Sequence, residues 1–489
     1  MPAFDKERNI LFLLLFVYLL TKVPLLFTSP LVLDEALYAV NIQEELKHPT
    51  PIPVYLNQQV GWKPPLFFFV YAPFVLLFQN FFPLEITFRL PTLVFGLINV
   101  MLLYFMIKKL YDKIELAFYT ALIFSGFYLT SFVNTSVLVD TLTLTFILSA
   151  LYCYVNTSWG NHRYAAAVIF TFLAFFTKLW VAAIIPVLAL AWAFTHSKQM
   201  LGSRYFLISL SSLFFAALSY SVYVDTFATH GIFQDVSVGY TLTKRIFGLP
   251  ELLQSVIIGT ITPLFGMLSV WLGFTVIGLW KTWKQYKFVF FWLLLTIFPL
   301  ISGYFMPWYF LPVLPAFAFF SAQLFLTDKK ETGYFDIICC LLVISMGMVI
   351  GFFYHHNTGD AYEFAQKEAG EFLAFKENVL VIGNYAPTVV AYKTITEIKH
   401  SGDYLDFGWI IPGSDNEDII RAYIEDYNTT KFNATTNIMN AMPPAHDPPV
   451  YKKTSLISKF KYVVLVGFEN VSTSGSLIYN KSGVRIYER

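Results

Sequence analysis

The chain opens with an apolar stretch, residues 10–38, that reads ILFLLLFVYLLTKVPLLFTSPLVLDEALY. Its apolar part is long enough to cross a bilayer, whose hydrocarbon of roughly 30 Å takes about 20 residues of helix. It runs past the length of a signal-peptide core, and no cleavage site of small residues follows it. The acidic pair Asp34-Glu35 comes soon after it. The stretch therefore predicts a retained membrane span that delivers two carboxylates to one membrane face.

The composition extends this interpretation to most of the chain. Of 489 residues, 56% are hydrophobic and only 13% are charged, which excludes an ordinary cytosolic enzyme. The 33 basic and 32 acidic residues leave a net charge of +1, so we expect no binding to nucleic acid. Cys153, Cys339 and Cys340 lie in apolar runs, where neither a disulfide framework nor a thiolate metal site is expected.

Charge and apolar runs divide the chain into two predicted domains. Residues 355–489 carry 29 charged residues, against 36 in residues 1–354. We predict an α-helical polytopic membrane domain over residues 1–354 and a small soluble α/β domain over residues 355–489. The second prediction rests on four apolar strands, 378–382, 407–411, 462–466 and 484–487, and on two helices, 361–375 and 416–427. Eleven runs of spanning length begin near Ile10, Leu90, Glu115, Thr141, Tyr164, Leu179, Tyr205, Val256, Phe288, Trp308 and Tyr334.

The basic residues predict the orientation of these spans. With eleven crossings, all the basic turns between spans fall on the cytoplasmic side, as the positive-inside rule requires. A further apolar stretch, Leu66–Phe82, would break this parity, so we interpret it as an in-plane or re-entrant helix. The outer face then receives a first loop at about 28–89, a later loop at about 225–254 and the tail. Four glycosylation sequons in the tail, beginning at Asn428, Asn433, Asn470 and Asn480, favour this side.

Several charges stand inside this apolar sequence, and the parity argument places them all on the outer face. Lys178 is the only charge between Tyr164 and Thr195. A lysine at bilayer depth costs on the order of 2.5–3.5 kcal/mol, so it requires an anionic partner or an interfacial position. A snorkelling anchor also explains Lys63, and a solvated span exit also explains Asp34-Glu35. The placement of five charged residues on the same face is therefore stronger evidence for a site than any one of them. These residues are Asp34, Lys63, Arg89, Asp140 and Lys178.

Carboxylates and cations grouped at the outer membrane face suit group transfer from a phosphate-linked donor. A carboxylate accepts the proton of an attacking hydroxyl, and cations stabilise a phosphate that gains charge as it leaves. A polyprenyl-phosphate sugar carries one negative charge, whereas the departing phosphate monoester moves toward two, because its second pKa is about 6. Such a site binds the leaving state better than the ground state and needs no metal ion.

The motifs resemble, in order and type, those of the GT-C membrane glycosyltransferases, in particular the protein O-mannosyltransferase and aminoarabinose (lipid A) transferase group. The resemblance covers about residues 1–325. It implies a GT-C fold and an inverting sugar transfer from a polyprenyl (dolichyl-type) phosphate donor to an acceptor hydroxyl or phosphate at the outer membrane face. The motifs are Asp34-Glu35 with Tyr38, Lys63-Pro64-Pro65, Phe88-Arg89-Leu90-Pro91, Asp140, Thr177-Lys178 and Trp308-Tyr309 through Pro315.

The resemblance also implies roles for single residues. The catalytic set is Asp34, which is similar to the family's catalytic aspartate, its neighbour Glu35, and Asp140, which is similar to a second-loop acid. The donor-phosphate set is Lys63, Arg89, Lys178, Arg245 and Tyr309. Trp62 stands where the aminoarabinose enzymes have an acidic residue, so neither a metal site that relies on that acid nor a lipid A substrate is implied. We therefore expect no metal ligands and no cofactor.

The expected partners are a polyprenyl-phosphate-linked sugar donor, a protein, lipid or glycan acceptor, and membrane lipid. We expect a multi-pass protein of the plasma membrane, or of the endoplasmic reticulum in a eukaryote, with the site and the tail outside the cytoplasm. Two alternatives stay open. An oligosaccharyltransferase should carry a Trp-Trp-Asp-Tyr-Gly signature, and this chain has no Trp-Trp pair. A secondary transporter should place its charges at mid-span in two corresponding halves.

Overall fold

The fold is known from a computed structural model and is predominantly helical. The structure describes residues 3–27, 29–31, 34–47, 49–55, 58–59, 64–227, 262–295, 307–326, 360–377, 379–382, 387–401, 407–410, 461–466, 476–482 and 484–488. The described residues of Met1–Phe27, Lys63–Phe227 and Gly239–Tyr354 form one compact unit, which we call the membrane unit. Those of Thr28–Trp62 and His355–Arg489 belong to a second, which we call the tail unit.

The described residues contain fifteen α-helices and seven strands. The helices are α1 (Ala3–Lys22), α2 (Asp34–Lys47), α3 (Leu66–Phe78), α4 (Leu84–Tyr111), α5 (Ile114–Gly126), α6 (Tyr128–Asn134), α7 (Val139–Val155), α8 (His162–Lys178), α9 (Ile184–His196), α10 (Arg204–Phe227), α11 (Thr262–Thr282), α12 (Lys287–Leu294), α13 (Leu314–Ala322), α14 (Asp360–Leu373) and α15 (Pro387–Ser401). The strands are β1 (Val54–Tyr55), β2 (Gln58–Gln59), β3 (Val379–Ile382), β4 (Phe407–Ile410), β5 (Tyr462–Val466), β6 (Ser476–Lys481) and β7 (Val484–Glu488).

Helix α4 is the longest element of the membrane unit, and α5 and α7 both pack against it. Pro91 lies in its second turn, where the missing backbone N–H removes one helix hydrogen bond, yet the helix continues to Tyr111. Lys108 and Lys109 lie in its last turn, where cations offset the partial negative charge of the helix end. Asp112 then ends the helix in a left-handed conformation with φ of 53°. Helix α7 also packs against α8, so it links α4 to α8.

Helices α5 and α6 are two parts of one apolar segment that bends by 69° at their junction. The bend leaves carbonyl groups at the end of α5 without partners inside the helix. Lys22, at the end of α1, donates to the Ser125 carbonyl and to the Ser131 hydroxyl, both at 2.6 Å. The lysine thus joins the two sides of the bend to the end of α1.

Among the described residues, three helical segments have the length and composition to cross a membrane, namely Glu7–Phe27, Leu84–Tyr111 and Arg204–Phe227. The bent α5–α6 pair makes a fourth if it counts as one span. The shorter apolar helices include α3, which covers most of the stretch predicted to lie in the membrane plane. The run near Tyr334 lies outside the described residues. The count of eleven spans therefore stays a prediction.

The tail unit contains a five-stranded sheet with the order β4-β3-β5-β7-β6. Strand β3 pairs in parallel with β4 and β5, and β7 pairs antiparallel with β5 and β6. All five residues of β5 are buried, as expected for a strand of the sheet interior. The four strands expected from the sequence correspond to β3, β4, β5 and β7, and the first expected helix corresponds to α14. Helix α15 and strand β6 were not predicted, and the second expected helix, 416–427, lies outside the described residues.

The packing of α11 on α13 yields a stability test. A methyl group on Gly278 would collide with the Phe320 backbone carbonyl, whereas a methyl group on Gly273 of the same helix would meet open space. We expect Gly278→Ala to lower the Tm in detergent, because overpacking of this contact should reduce the free energy of unfolding by about 1–3 kcal/mol. Gly273→Ala is the matched control and should keep or slightly raise the Tm, because alanine favours a helix over glycine by about 1 kcal/mol. Equal Tm shifts in the two variants would contradict this packing.

Candidate functional site

A largely buried ion pair joins α7 to α8 in the membrane unit. The Lys178 ammonium lies 2.5 Å from a carboxylate oxygen of Asp140. The Asp140 side chain is 4% exposed and that of Lys178 is 16% exposed. Removing one partner of such a pair leaves an uncompensated charge in an apolar surrounding, so each residue requires the other. The sequence left two possibilities for Lys178, an anionic partner or an interfacial position, and the structure shows Asp140 as an anionic partner.

The local backbone explains why these two side chains meet. Asp140 lies in the first turn of α7, where the helix dipole favours a carboxylate. Lys178 is the last residue of α8, and the chain leaves that helix through Leu179 with φ of 31°. Leucine adopts such a conformation at a cost, typically about 1–3 kcal/mol, and such strain concentrates at functional sites. The helix therefore stops at the residue that faces the Asp140 carboxylate.

Tyr309 completes the cluster from a 3-10 helix, Pro307–Val313. Its ring centroid lies 4.2 Å from the Lys178 ammonium, within the range of a cation–π interaction. Within the described residues, Asp140 is the hydrogen-bond acceptor that Lys178 contacts, and an ammonium has three N–H groups. The cluster thus presents an oriented cation with donor capacity for an anionic group. Asp140, Lys178 and Tyr309 are the predicted site residues that the described structure brings together.

The other predicted donor-phosphate cations have different positions. Arg89 is 1% exposed and donates to the Leu26 carbonyl at 3.2 Å, which ties α4 to the segment that follows α1. Lys63 and Arg245 lie outside the described residues. The assignment of these three residues to a donor phosphate therefore stays a prediction.

Asp34 and Glu35 begin helix α2 and belong to the tail unit. Asp34 is half-buried and Glu35 is buried, although they are neighbours in sequence. Both lie in the first turn, where carboxylates favour helix formation. At the other end of α2, burial raises the pKa of Glu45 to about 7, while the N–H that Thr50 donates to it acts in the opposite direction. Helix α2 thus buries carboxyl groups at both ends and leaves Asp34 the more accessible one of its first pair.

The sequence analysis did not predict two buried polar contacts of the membrane unit. Lys22 is 1% exposed and bridges the α5–α6 bend, although its position at the end of a span suggests an ordinary interfacial lysine. Tyr71 of α3 and Thr92 of α4 join their hydroxyls at 2.9 Å. Within the described ranges, no three His, Cys, Asp or Glu side chains group in a way that could hold a metal ion.

The chain is similar over nearly its full length to crystal structures of ArnT from Cupriavidus metallidurans. The structure of ArnT bound to undecaprenyl phosphate is 13% identical, with a TM-score of 0.60 over 99% of this chain and 98% of that one. The apo state is 14% identical, with a TM-score of 0.60 over 100% and 98% of the two chains. This chain has the GT-C fold of ArnT. The resemblance that the sequence motifs predicted is therefore confirmed at the level of fold.

A second known protein gives a weaker structural match. The Pmt1-Pmt2 protein O-mannosyltransferase complex of S. cerevisiae, bound to its sugar donor, is 19% identical. Its TM-score is 0.33 over 45% of this chain and 32% of that one, which is too low to establish a common fold. No family model matches the sequence. No curated protein sequence is detectably similar to it. The GT-C assignment accordingly rests on the three-dimensional likeness to ArnT.

Proposed function

We propose that this protein is a membrane glycosyltransferase that moves a sugar from a polyprenyl-phosphate donor to an acceptor hydroxyl or phosphate, with inversion at the sugar carbon. One observation carries the proposal. Lys178, a partly buried lysine that contacts Asp140 and the Tyr309 ring, belongs to a chain with the fold of a protein that has been crystallised with undecaprenyl phosphate. A lipid-linked phosphate is the anion that suits such a cation in a membrane protein.

The proposed base is Asp34. Its carboxylate accepts the proton of the acceptor hydroxyl as the oxygen attacks the anomeric carbon of the donor sugar. Its position at the first turn of α2, its partial exposure and its similarity to the family's catalytic aspartate support this role. Glu35 is the poorer candidate, because its side chain is buried.

The proposed phosphate site stabilises the leaving group. The bond from the sugar carbon to the phosphate oxygen breaks with its electron pair on that oxygen, so the phosphate moves from one negative charge toward two. Lys178 donates to this growing charge, and Asp140 holds the ammonium in place. Lys63, Arg89 and Arg245 are proposed as further cations of the site on the strength of the sequence resemblance. The interaction strengthens as the bond breaks, so it lowers the barrier rather than only tightening donor binding.

We further propose that the site and the tail unit lie outside the cytoplasm. The basic turns support this orientation: Lys284, between α11 and α12, belongs to one of them. The proposed acceptor is a protein, a lipid or a glycan.

The base assignment predicts the behaviour of two neighbouring variants. Asp34→Asn should abolish transfer, because an amide does not accept the proton of the acceptor hydroxyl. Expression and membrane insertion should stay normal, because the amide keeps the shape of the side chain. Glu35→Gln is the matched control and should keep most of the activity. The measurement is transfer of a radiolabelled sugar from a polyprenyl-phosphate donor in detergent. Wild-type turnover in Asp34→Asn would refute the base assignment.

The phosphate assignment predicts an effect of Lys178 on turnover. Lys178→Met removes a charge-assisted contact worth roughly 1.5–3 kcal/mol, so turnover at saturating donor should fall about ten- to hundredfold. Lys108→Met is the control, because it also breaks an ion pair, the 2.6 Å contact with Glu7. It should leave turnover unchanged.

The same kinetic experiment tests the metal-free mechanism. Steady-state rates with a short-chain donor should be the same with and without a chelator. Unchanged turnover in Lys178→Met, or complete inhibition of the wild type by chelation, would overturn the cationic site.

The orientation predicts accessibility from opposite faces. In a background without Cys153, Cys339 and Cys340, Lys461→Cys in the tail unit should react with an impermeant maleimide from outside the cell. Lys284→Cys should react only after the membrane is permeabilised. Both positions are exposed, so accessibility to solvent is matched. Labelling of both from one side would contradict the orientation.

A further inference from the structure

A buried hydrogen bond joins the start of the first loop to the tail. The Leu31 backbone N–H donates to the Tyr392 hydroxyl at 3.0 Å, and the two residues are 361 positions apart in sequence. Both are buried. Leu31 precedes Asp34 by three residues, so this bond fixes the backbone at Leu31, close in sequence to the helix that carries the proposed base.

Tyr392 is itself held firmly by its surroundings in the tail unit. It lies in α15, which packs against α14, and a methyl group on Gly370 of α14 would collide with the Tyr392 side chain and the Val389 carbonyl. The Lys367 ammonium of α14 lies 5.2 Å from the centroid of the Tyr392 ring. The hydroxyl therefore has a defined position relative to α14.

A buried ion pair fixes α15 further. Lys393 and Glu397 lie one turn apart, contact each other at 2.7 Å and are almost fully buried. Glu397 also accepts the Phe375 backbone N–H at 2.7 Å, which ties the chain after α14 to α15. Helix α15 is thus a rigid platform rather than a surface helix.

Helix α2 packs directly on this platform. Ala36, Ala39 and Val40 of α2 are buried, and so are its polar residues Asn41 and Glu44. A helix of 14 residues is marginal in isolation, so most of its order comes from the elements that cover it. Within the tail unit, α15 is a main contact of α2.

We propose that Tyr392 is a positioning residue for the proposed base. In this view the tail unit acts as a clamp: α15 holds Leu31 and α2, so that Asp34 occupies one position at the start of its helix. The inference rests on the proposed function, because it assigns Asp34 as the base. It gives the tail unit a role in catalysis without any contact of its own with the reacting atoms.

Hydrogen exchange of the full-length protein in detergent tests the clamp directly. Tyr392→Phe keeps the ring and removes the acceptor of the Leu31 N–H. Exchange in peptides covering 29–31 and 34–47 should become roughly tenfold faster, as expected for the loss of one buried hydrogen bond. Exchange in 360–373 should stay as in the wild type. The control is Tyr479→Phe, which removes another tail-unit hydroxyl, one whose contacts are with the Ala365 carbonyl and with Glu368, both in α14.

Kinetics supply the second readout. In Tyr392→Phe, turnover per donor-binding site should fall about tenfold while the KM for a short-chain polyprenyl-phosphate sugar stays unchanged, because donor binding does not use Asp34. Tyr479→Phe should change neither. Wild-type exchange in 29–47, or faster exchange spread evenly over α14 and α15, would overturn the clamp. Activity retained in Asp34→Asn would overturn the proposed function instead, because the exchange measurement requires no catalysis.

Discussion

A partly buried lysine ammonium at the end of α8 is the charge on which the contacts of three segments of the membrane unit depend. An ammonium in an apolar surrounding must find a partner or an exit to water. Lys178 finds both a carboxylate and an aromatic face, and these come from α7 and from the 3-10 segment before α13. One charge therefore fixes the relative positions of three segments that are distant in sequence. Since the ammonium keeps donor capacity beyond its bond to Asp140, the same pair that stabilises the bundle is available to an anionic ligand.

Lys22 shows that a buried lysine can have a different purpose. It contacts neutral groups, a carbonyl and a hydroxyl, and both sit at the bend between α5 and α6. Those partners take two of the ammonium's three N–H donors and join the two sides of the bend. Lys178 contacts a carboxylate at a helix start and an aromatic ring, which orient the cation without enclosing it. The groups that a lysine contacts, rather than how deeply it is buried, therefore distinguish a structural lysine such as Lys22 from a candidate ligand-binding lysine such as Lys178.

The sequence predicts the parts of this architecture that depend on local composition. The apolar runs, the tail strands and the need of Lys178 for an anion all follow from residue type and spacing. It does not predict α15, because Pro387–Ser401 alternates small, aromatic and charged residues and its buried Lys393–Glu397 pair resembles an ordinary solvated i,i+4 pair. It also does not predict strand β6, whose residues are largely exposed and show no alternation. Arg89 resembles a ligand-binding cation in sequence, and only the structure shows its bond to the Leu26 carbonyl.

The grouping of the first loop with the tail is the feature that sequence reasoning is least able to supply. A loop between two spans is expected to be ordered by those spans, yet residues 28–62 cluster with the tail unit. Helix α2 packs on α15, and the bond from the Leu31 N–H to the Tyr392 hydroxyl joins residues with no local pattern in common. A general base must be held within a fraction of an ångström to be effective, and loops alone seldom achieve that. A folded domain that supplies a buried platform for one short helix meets this requirement. Under the proposed function, the tail unit therefore has a role although it carries no catalytic motif of its own.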